Sequence, residues 1–444
     1  FFFKQKTAYE IYQCDWSSDV CSSDLRRTGQ QTVQDGRHPC KIPPMTTTTA
    51  SSPADIATAM THHQAGRLQE AETLYRLALA SNPAEIDALR LLGVLRFQRG
   101  DAAEAEKLLR ETLQAAPAYA KAHDNLGFVL SGLGRNAEAL TALRRAVELE
   151  PDNTAFLFNL ANLLINMQSR DEALDVLGRL VAVDASHVAA HQLIATTLLK
   201  KGDGRGALQH LDACTRSGAA SAGTHGHRAI ALAQLGDTAA LNYLVDFDKL
   251  IKPAHIGDQH GFPSLWEFNR ALAAHVIDNE TLREDVTTVH GLDTGEILDS
   301  GNPASAALKR FIYSQIEARL RDLPEADHPF TASAPSNWRT MSWGVKMWRE
   351  GYQVPHIHSK AWLSGVYYVQ LPEVIGANQT GNEGWIEFGR GPDHLYASAD
   401  CPVRLIRPVE GMMLSFPSYM WHRTIPFEGV RERVSIAFDV IAVD

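Results

Sequence analysis

Small residues recur in this chain at a spacing that leaves few folds open. Gly66, Gly100, Gly134, Gly202 and Gly236 stand in one frame of 34 residues, with Gln168 in the vacant place. Ala71, Ala105, Ala139, Ala173 and Ala207 keep the same frame five residues later, and so do Pro83, Pro117 and Pro151. Between them the apolar spacing is helical, as in Leu91 to Phe97 and Ala139 to Val147. A unit with a turn glycine, an alanine at a helix contact and a closing proline is a helical hairpin. One such hairpin cannot bury its apolar face alone, so its copies must stack.

These residues resemble the tetratricopeptide repeat over about 190 residues, in roughly five to six units. The resemblance implies an all-α solenoid over 53–245 whose concave face binds a protein or peptide partner. Gly93 and Gly127, with Ala161 and Ala195 in the same frame, are expected where paired helices approach closely.

Upstream of this array the sequence has a different character. Residues 1 to 25 show no signal-peptide order of basic, apolar and small residues. They look like translated sequencing-adapter sequence, and Met45 is the expected true start, so 1–52 is read as an artefactual or disordered leader. Cys14, Cys21 and Cys40 fall within it, leaving Cys214 and Cys401 for the rest. Two unpatterned cysteines make neither a disulfide framework nor a zinc knuckle, and a reducing, cytoplasmic location is expected. A formal charge of -10 argues against nucleic acid as a partner, since phosphate binding needs a basic surface. No apolar run approaches the roughly eighteen residues of a membrane span, so no membrane partner is expected. The oligomeric state is not legible.

Periodicity fades after Val245. Residues 246–330 are expected to be a linker and helices flanking a second domain, with an apolar stripe at Ala307, Leu308, Phe311, Ile312 and Ile316, and with Thr288 to Pro303 as a loop. From about 331 the texture turns to short runs rich in aromatic and β-branched residues: Trp338 to Trp348, Trp362 to Leu371, Gly384 to Phe388, Val403 to Ile406, Gly411 to Phe416 and Arg433 to Ile441. Six such runs without an intervening helical pattern predict a jelly-roll barrel over 331–444. The fold class is therefore multidomain α + β, an all-α array followed by a β-barrel with flanking helices.

The chemistry-bearing residues gather in that last segment. His356 and His358, at i and i+2, would point to one side of an extended strand and grip one object together. His422, beside another strand-like run, could complete three imidazole ligands for iron, zinc or copper. Along the final run, alternation puts Arg433, Ser435, Ala437 and Asp439 on one face and Val434, Ile436, Phe438 and Val440 on the other. Arg433 and Ser435 thus point together, a guanidinium and a hydroxyl suited to a carboxylate.

His356-Ile-His358, the run Ser364 to Val369, Gly411 through Phe416-Pro-Ser, His422 and Arg433-Val-Ser435 together resemble a bacterial 2-oxoglutarate/Fe(II) oxygenase-like family often fused to tetratricopeptide repeats. The resemblance implies a double-stranded β-helix and Fe(II)- and 2-oxoglutarate-dependent hydroxylation. It implies His356 and His422 as iron ligands, Arg433 with Ser435 on the distal carboxylate of 2-oxoglutarate, and Tyr367 or Tyr368 hydrogen-bonded to that cosubstrate. Most of the superfamily has a carboxylate where this chain has His358. The third ligand is then His358 or a replacement carboxylate, Glu387 or Asp400. Two alternatives stay open: a non-catalytic interaction scaffold with a metal- or carboxylate-binding barrel, and a cupin-like dioxygenase needing no cosubstrate.

Overall fold

The computed structural model describes residues 53–257, 261–375, 381–396 and 401–443. The expected leader, its three cysteines and Asp400 lie outside them. Helices α1 (Pro53–Gln64), α2 (Leu68–Ser81), α3 (Ile86–Gln98), α4 (Ala102–Ala115), α5 (Ala120–Gly132), α6 (Asn136–Leu149), α7 (Thr154–Asn166) and α8 (Arg170–Val183) pair as antiparallel hairpins. They form one compact unit, up to Ala185.

Each hairpin turns where the frame predicts. Gly66, Gly100 and Gly134 have φ of 73°, 86° and 77°, and Gln168 takes φ 63° in their place. Left-handed backbone costs a residue with a Cβ roughly 1–2 kcal/mol, which glycine avoids. The small residues inside the helices serve another purpose. A Cβ on Gly127 would lie 2.6 Å from Leu143 Cγ, and one on Gly93 would lie 3.1 Å from Leu109 Cγ. The two helices of a hairpin therefore meet at van der Waals distance only because these positions are bare.

The second compact unit, from Ser186, continues the helical frame through α9 (Val188–Lys200), α10 (Gly204–Arg216), α11 (Ala222–Leu235) and α12 (Thr238–Leu244) before the chain enters strands. The strands are β1 (Lys252–His255), β2 (Thr288–Asp293), β3 (Trp338–Gln353), β4 (Leu363–Gln370), β5 (Ile386–Phe388), β6 (Arg404–Ile406), β7 (Met412–Pro417), β8 (His422–Thr424) and β9 (Arg433–Ala442). They make a six-stranded antiparallel sheet in the order β1-β7-β4-β9-β3-β2 and a three-stranded one in the order β6-β5-β8. This pair of sheets is compatible with the expected double-stranded β-helix.

Three strands were not legible: β1, β2 and the three-residue β8. Thr288 to Asp293, expected within a loop, is β2. Its pattern is broken by a bulge between Val289 and Gly291, where His290 has φ 49°. β1 is four residues long and carries Pro253, which an edge strand tolerates because one side needs no N–H donor.

Helices α13 (Leu265–Ile277) and α14 (Pro303–Arg321) pack against the large sheet. Phe268, Leu272, Val276, Phe311 and Ile312 belong to one buried cluster with Leu363, Tyr367, Ile436, Phe438 and Val440. One face of β4 and β9 is thus spent on the helices, leaving the other for the barrel interior.

The turn geometry yields a paired expectation. Gly134→Ala should lower the stability of the helical array by about 1 kcal/mol, while Gln168→Gly should raise it by up to about 1 kcal/mol, because relief of the left-handed strain exceeds the added chain entropy. Urea denaturation of the two variants checks this; shifts of the same sign would contradict it.

Candidate functional site

The three histidines expected at the site come together. Their ligating nitrogens all lie within 4.8 Å of one another. The ring centroids of His356 and His422 are 4.2 Å apart, those of His356 and His358 5.2 Å, and those of His358 and His422 5.3 Å. His422 opens β8. His356 and His358, however, are not on a regular strand: they sit in the connection from β3 to β4, where His356 makes a single two-way bridge to His422. The main chain of this bridge, His356 N–H to His422 O at 3.0 Å and His422 N–H to His356 O at 3.1 Å, sets two of the rings side by side.

Hydrogen bonds fix which nitrogen each ring offers. His356 Nδ1 is 2.8 Å from Val354 O, and His422 Nδ1 is 2.9 Å from Met420 O. A carbonyl only accepts, so both rings must carry their proton on Nδ1. His358 Nδ1 faces the Asp439 carboxylate, 2.8 Å from Oδ2. In all three rings the Nε2 lone pair is left for a common ligand, and three imidazole nitrogens suit a divalent transition metal. Burial and the neighbouring imidazoles push His356 down to about 4 and His422 well below the ordinary value, so both rings are neutral near pH 7, as metal ligation requires.

Arg433 and Ser435 share the interior face of β9 with Asp439, as alternation predicts. Arg433 is 2% exposed, and its Nε has no partner. Its Nη1 lies 3.5 Å from Ser435 Oγ, and its guanidinium carbon sits 5.3 Å from the centre of the Tyr368 ring. Among the described residues no carboxylate pairs with Arg433. Burial pulls its pKa down and pushes the Tyr368 phenol up to about 12. The Tyr368 hydroxyl is also buried without a partner. A buried guanidinium lacking an anion costs several kcal/mol, and beside it an unsatisfied hydroxyl costs about 1–3 kcal/mol. Both costs vanish if a carboxylate enters.

Of the two candidate tyrosines only Tyr368, opposite Ser435 on β9, belongs to this pocket. Tyr367 points to the other face of β4, where its hydroxyl donates to Asn269 Oδ1 at 2.8 Å. The expectation for Tyr367 fails because successive strand residues face opposite ways. Glu387 is likewise placed away from the cluster. It pairs across the small sheet with Arg423 rather than His422, and its carboxylate is held by Arg423 at 2.8 Å and Arg390 at 3.1 Å. Of Trp338, Trp343, Trp348 and Trp362, Trp343 alone stacks on a site histidine, His358, with centroids 5.6 Å apart. Trp362 stacks on Phe330 at 4.6 Å, and Trp338 meets Tyr313 edge-on.

Two contributors were missed. Asp439 was on the correct face by alternation, but only the register opposite Ser364 reveals it behind His358. The other is α11. Gly226 lets this helix settle on the site's connections: Trp421 Nε1 donates to Gly226 O at 2.9 Å, and His225 and His227 meet the rings of Tyr419 and Trp421. A Cβ on Gly226 would lie 2.9 Å from Ile357 Cδ1 and 3.1 Å from Tyr419 O. A small residue in a helix carries no hint of which distant segment it admits.

Residues 341–439 match a family described as "Putative 2OG-Fe(II) oxygenase". Residues 56–120 and 130–197 match two tetratricopeptide-repeat families. No curated protein matches the chain. Among solved structures it is similar to pilF of Pseudomonas aeruginosa, at 22% identity and TM-score 0.39, covering 42% of this chain and 85% of that one. It is also similar to YrrB, described as a TPR protein with an unusual peptide-binding site, at 26% identity and TM-score 0.32, covering 38% of this chain and 87% of that one. A thermophilic TPR protein of Thermus thermophilus gives 20% identity and TM-score 0.32 over 38% and 97% of the two chains. The tetratricopeptide-repeat matches are thus followed along the chain by a match to the "Putative 2OG-Fe(II) oxygenase" family.

The neutral, enclosed histidines set a pH dependence. His225 and His227, like His356, are held near 4 by burial, so from about pH 6.5 downward the unfolded chain binds protons that the folded protein does not. Stability is fully present above that pH and should fall by a few kcal/mol as pH drops toward 4. Urea midpoints of metal-free protein between about pH 7.5 and 4.5 measure this; a flat profile would contradict it.

Proposed function

We propose that the strand domain is an Fe(II)- and 2-oxoglutarate-dependent oxygenase that hydroxylates a substrate, and that the tetratricopeptide array binds a protein or peptide partner on its concave face. His356, His358 and His422 would hold the metal through Nε2, and Arg433, Ser435 and Tyr368 the distal carboxylate of 2-oxoglutarate. The observation that carries this reading is the unpaired pair, Arg433 Nε and Tyr368 hydroxyl, buried on the same interior face as the imidazole cluster. When bound, iron and 2-oxoglutarate supply the oxidising power of dioxygen for a C–H bond, with the cosubstrate leaving as succinate and carbon dioxide.

The chain's own residues orient and exclude. The Arg433 guanidinium and the Ser435 and Tyr368 hydroxyls offer donors to both oxygens of one carboxylate. Leu414 and Phe416, both buried, share the interior face of β7 with the Ser364 and Val366 positions of β4 opposite them. Phe416 lies edge-on to His422 at 4.7 Å, and Phe388 stands 6.1 Å from it, so apolar rings keep water from the ligand side. Cys214 is a buried free thiol, which fits the cytoplasmic location we assign. No described helix is long and apolar enough to cross a membrane.

A second reading, a barrel that binds metal or carboxylate without turnover, is favoured by one observation: among the described residues, no carboxylate joins the three clustered imidazoles. A cosubstrate-free dioxygenase leaves Arg433 without an anion and has no such support.

Anaerobic addition of Fe(II) and 2-oxoglutarate should give a visible charge-transfer band, and air should then yield succinate. Arg433→Ala should weaken 2-oxoglutarate binding by on the order of 100-fold, the loss of a charge-assisted pair, while metal binding persists. Tyr368→Phe should weaken it by roughly 10-fold. A binding-only barrel would show the band without succinate; absence of both would sink the oxygenase reading.

A further inference from the structure

The three imidazoles are not held alike. Behind His356 and His422 stand main-chain carbonyls, which are neutral and fixed by the fold. Behind His358 stands a carboxylate: Nδ1 lies 2.7 Å from Asp439 Oδ1 and 2.8 Å from Oδ2. Asp439 is itself secured, because Ser364 Oγ donates to its Oδ1 at 2.6 Å and lies 2.9 Å from Ser418 Oγ. The circuit closes on the main chain, where His358 N–H donates to Ser418 O at 3.0 Å. Register places these groups, since Asp439 of β9 lies directly opposite Ser364 of β4. Ser364 and Ser418 are buried, and both side chains of the His358–Asp439 pair are largely enclosed.

We propose that Asp439 is a positioning residue that supplies, through His358, the negative charge that a set of three neutral imidazoles lacks. The inference rests on the metal-site reading above and deepens it. A dication held by three neutral rings has its charge uncompensated, whereas a carboxylate accepting the Nδ1 proton of one ring raises that ring's basicity and fixes its tautomer. Ring orientation is constrained from two directions, by Asp439 at the edge and by Trp343 stacked on the face at an interplanar angle of 24°. The charge is thus moved from the ligand position to the layer behind it, and only at His358, the position where Asp439 can reach.

The test is metal binding by the metal-free full chain, read from the visible absorption of Co(II) in a titration, with no turnover required. Asp439→Asn should weaken Co(II) binding by about 10- to 100-fold. Ser364→Ala, which releases one carboxylate oxygen, should give a smaller loss of the same sign. In a His358→Asp background, where the ligand carries its own charge and has no Nδ1 proton to donate, most of the Asp439→Asn loss should disappear. A merely structural role would give the same loss in both backgrounds. Wild-type affinity in Asp439→Asn, with His422→Ala impaired, overturns the inference alone, as does an equal loss in both backgrounds. If the wild type takes up no Co(II), or His422→Ala takes it up equally well, the metal-site reading falls with it.

Discussion

Strand β9 is the constraint on which the rest depends. It lies between β3 and β4 in the large sheet, so its backbone is paired on both sides and its register is set twice. From Arg433 to Val440 no residue is exposed. Val434, Ile436, Phe438 and Val440 interlock with the flanking helices, and Arg433, Ser435 and Asp439 line the interior. A slip by one residue would bury the guanidinium and carboxylate among helix side chains and put four apolar groups in the pocket. Packing on one face therefore aims the chemistry on the other.

That dependence explains what was legible from residue order. The repeat frame could be read because each unit is local: glycine or its stand-in Gln168 at the turn, small Gly93 and Gly127 at the contact. The strand runs from Trp338 onward could be read from texture, and alternation along β9 separated its two faces. Three short pieces escaped. β1 has four residues, β2 is interrupted by a bulge, and β8 has three residues, too few for a period to show.

The site was legible as a set of residue types and not as an arrangement. His356, His358 and His422 lie together, and a main-chain bridge rather than a shared strand face brings His356 to His422. Tyr367 and Tyr368 could not be told apart until the pairing of β4 with β9 gave each a side. Helix α11 falls within the span 53–245 expected for the array, yet it braces Tyr419 and Trp421, the residues leading into His422. Period and texture report neighbours in sequence; contacts across nearly two hundred residues are set by the closed fold.

The unequal backing of the three rings also bears on how such a centre can change over time. Two of the imidazoles take their aim from carbonyls of the main chain, which no side-chain substitution removes. The third takes its aim from a side chain, and that side chain leans on two serines. Heritable variation can therefore adjust the centre at one corner while the other two stay put. A lineage could shift the electron richness of the bound ion in small steps, through Asp439, Ser364 or Ser418, without passing through a form that has lost its grip on the ion.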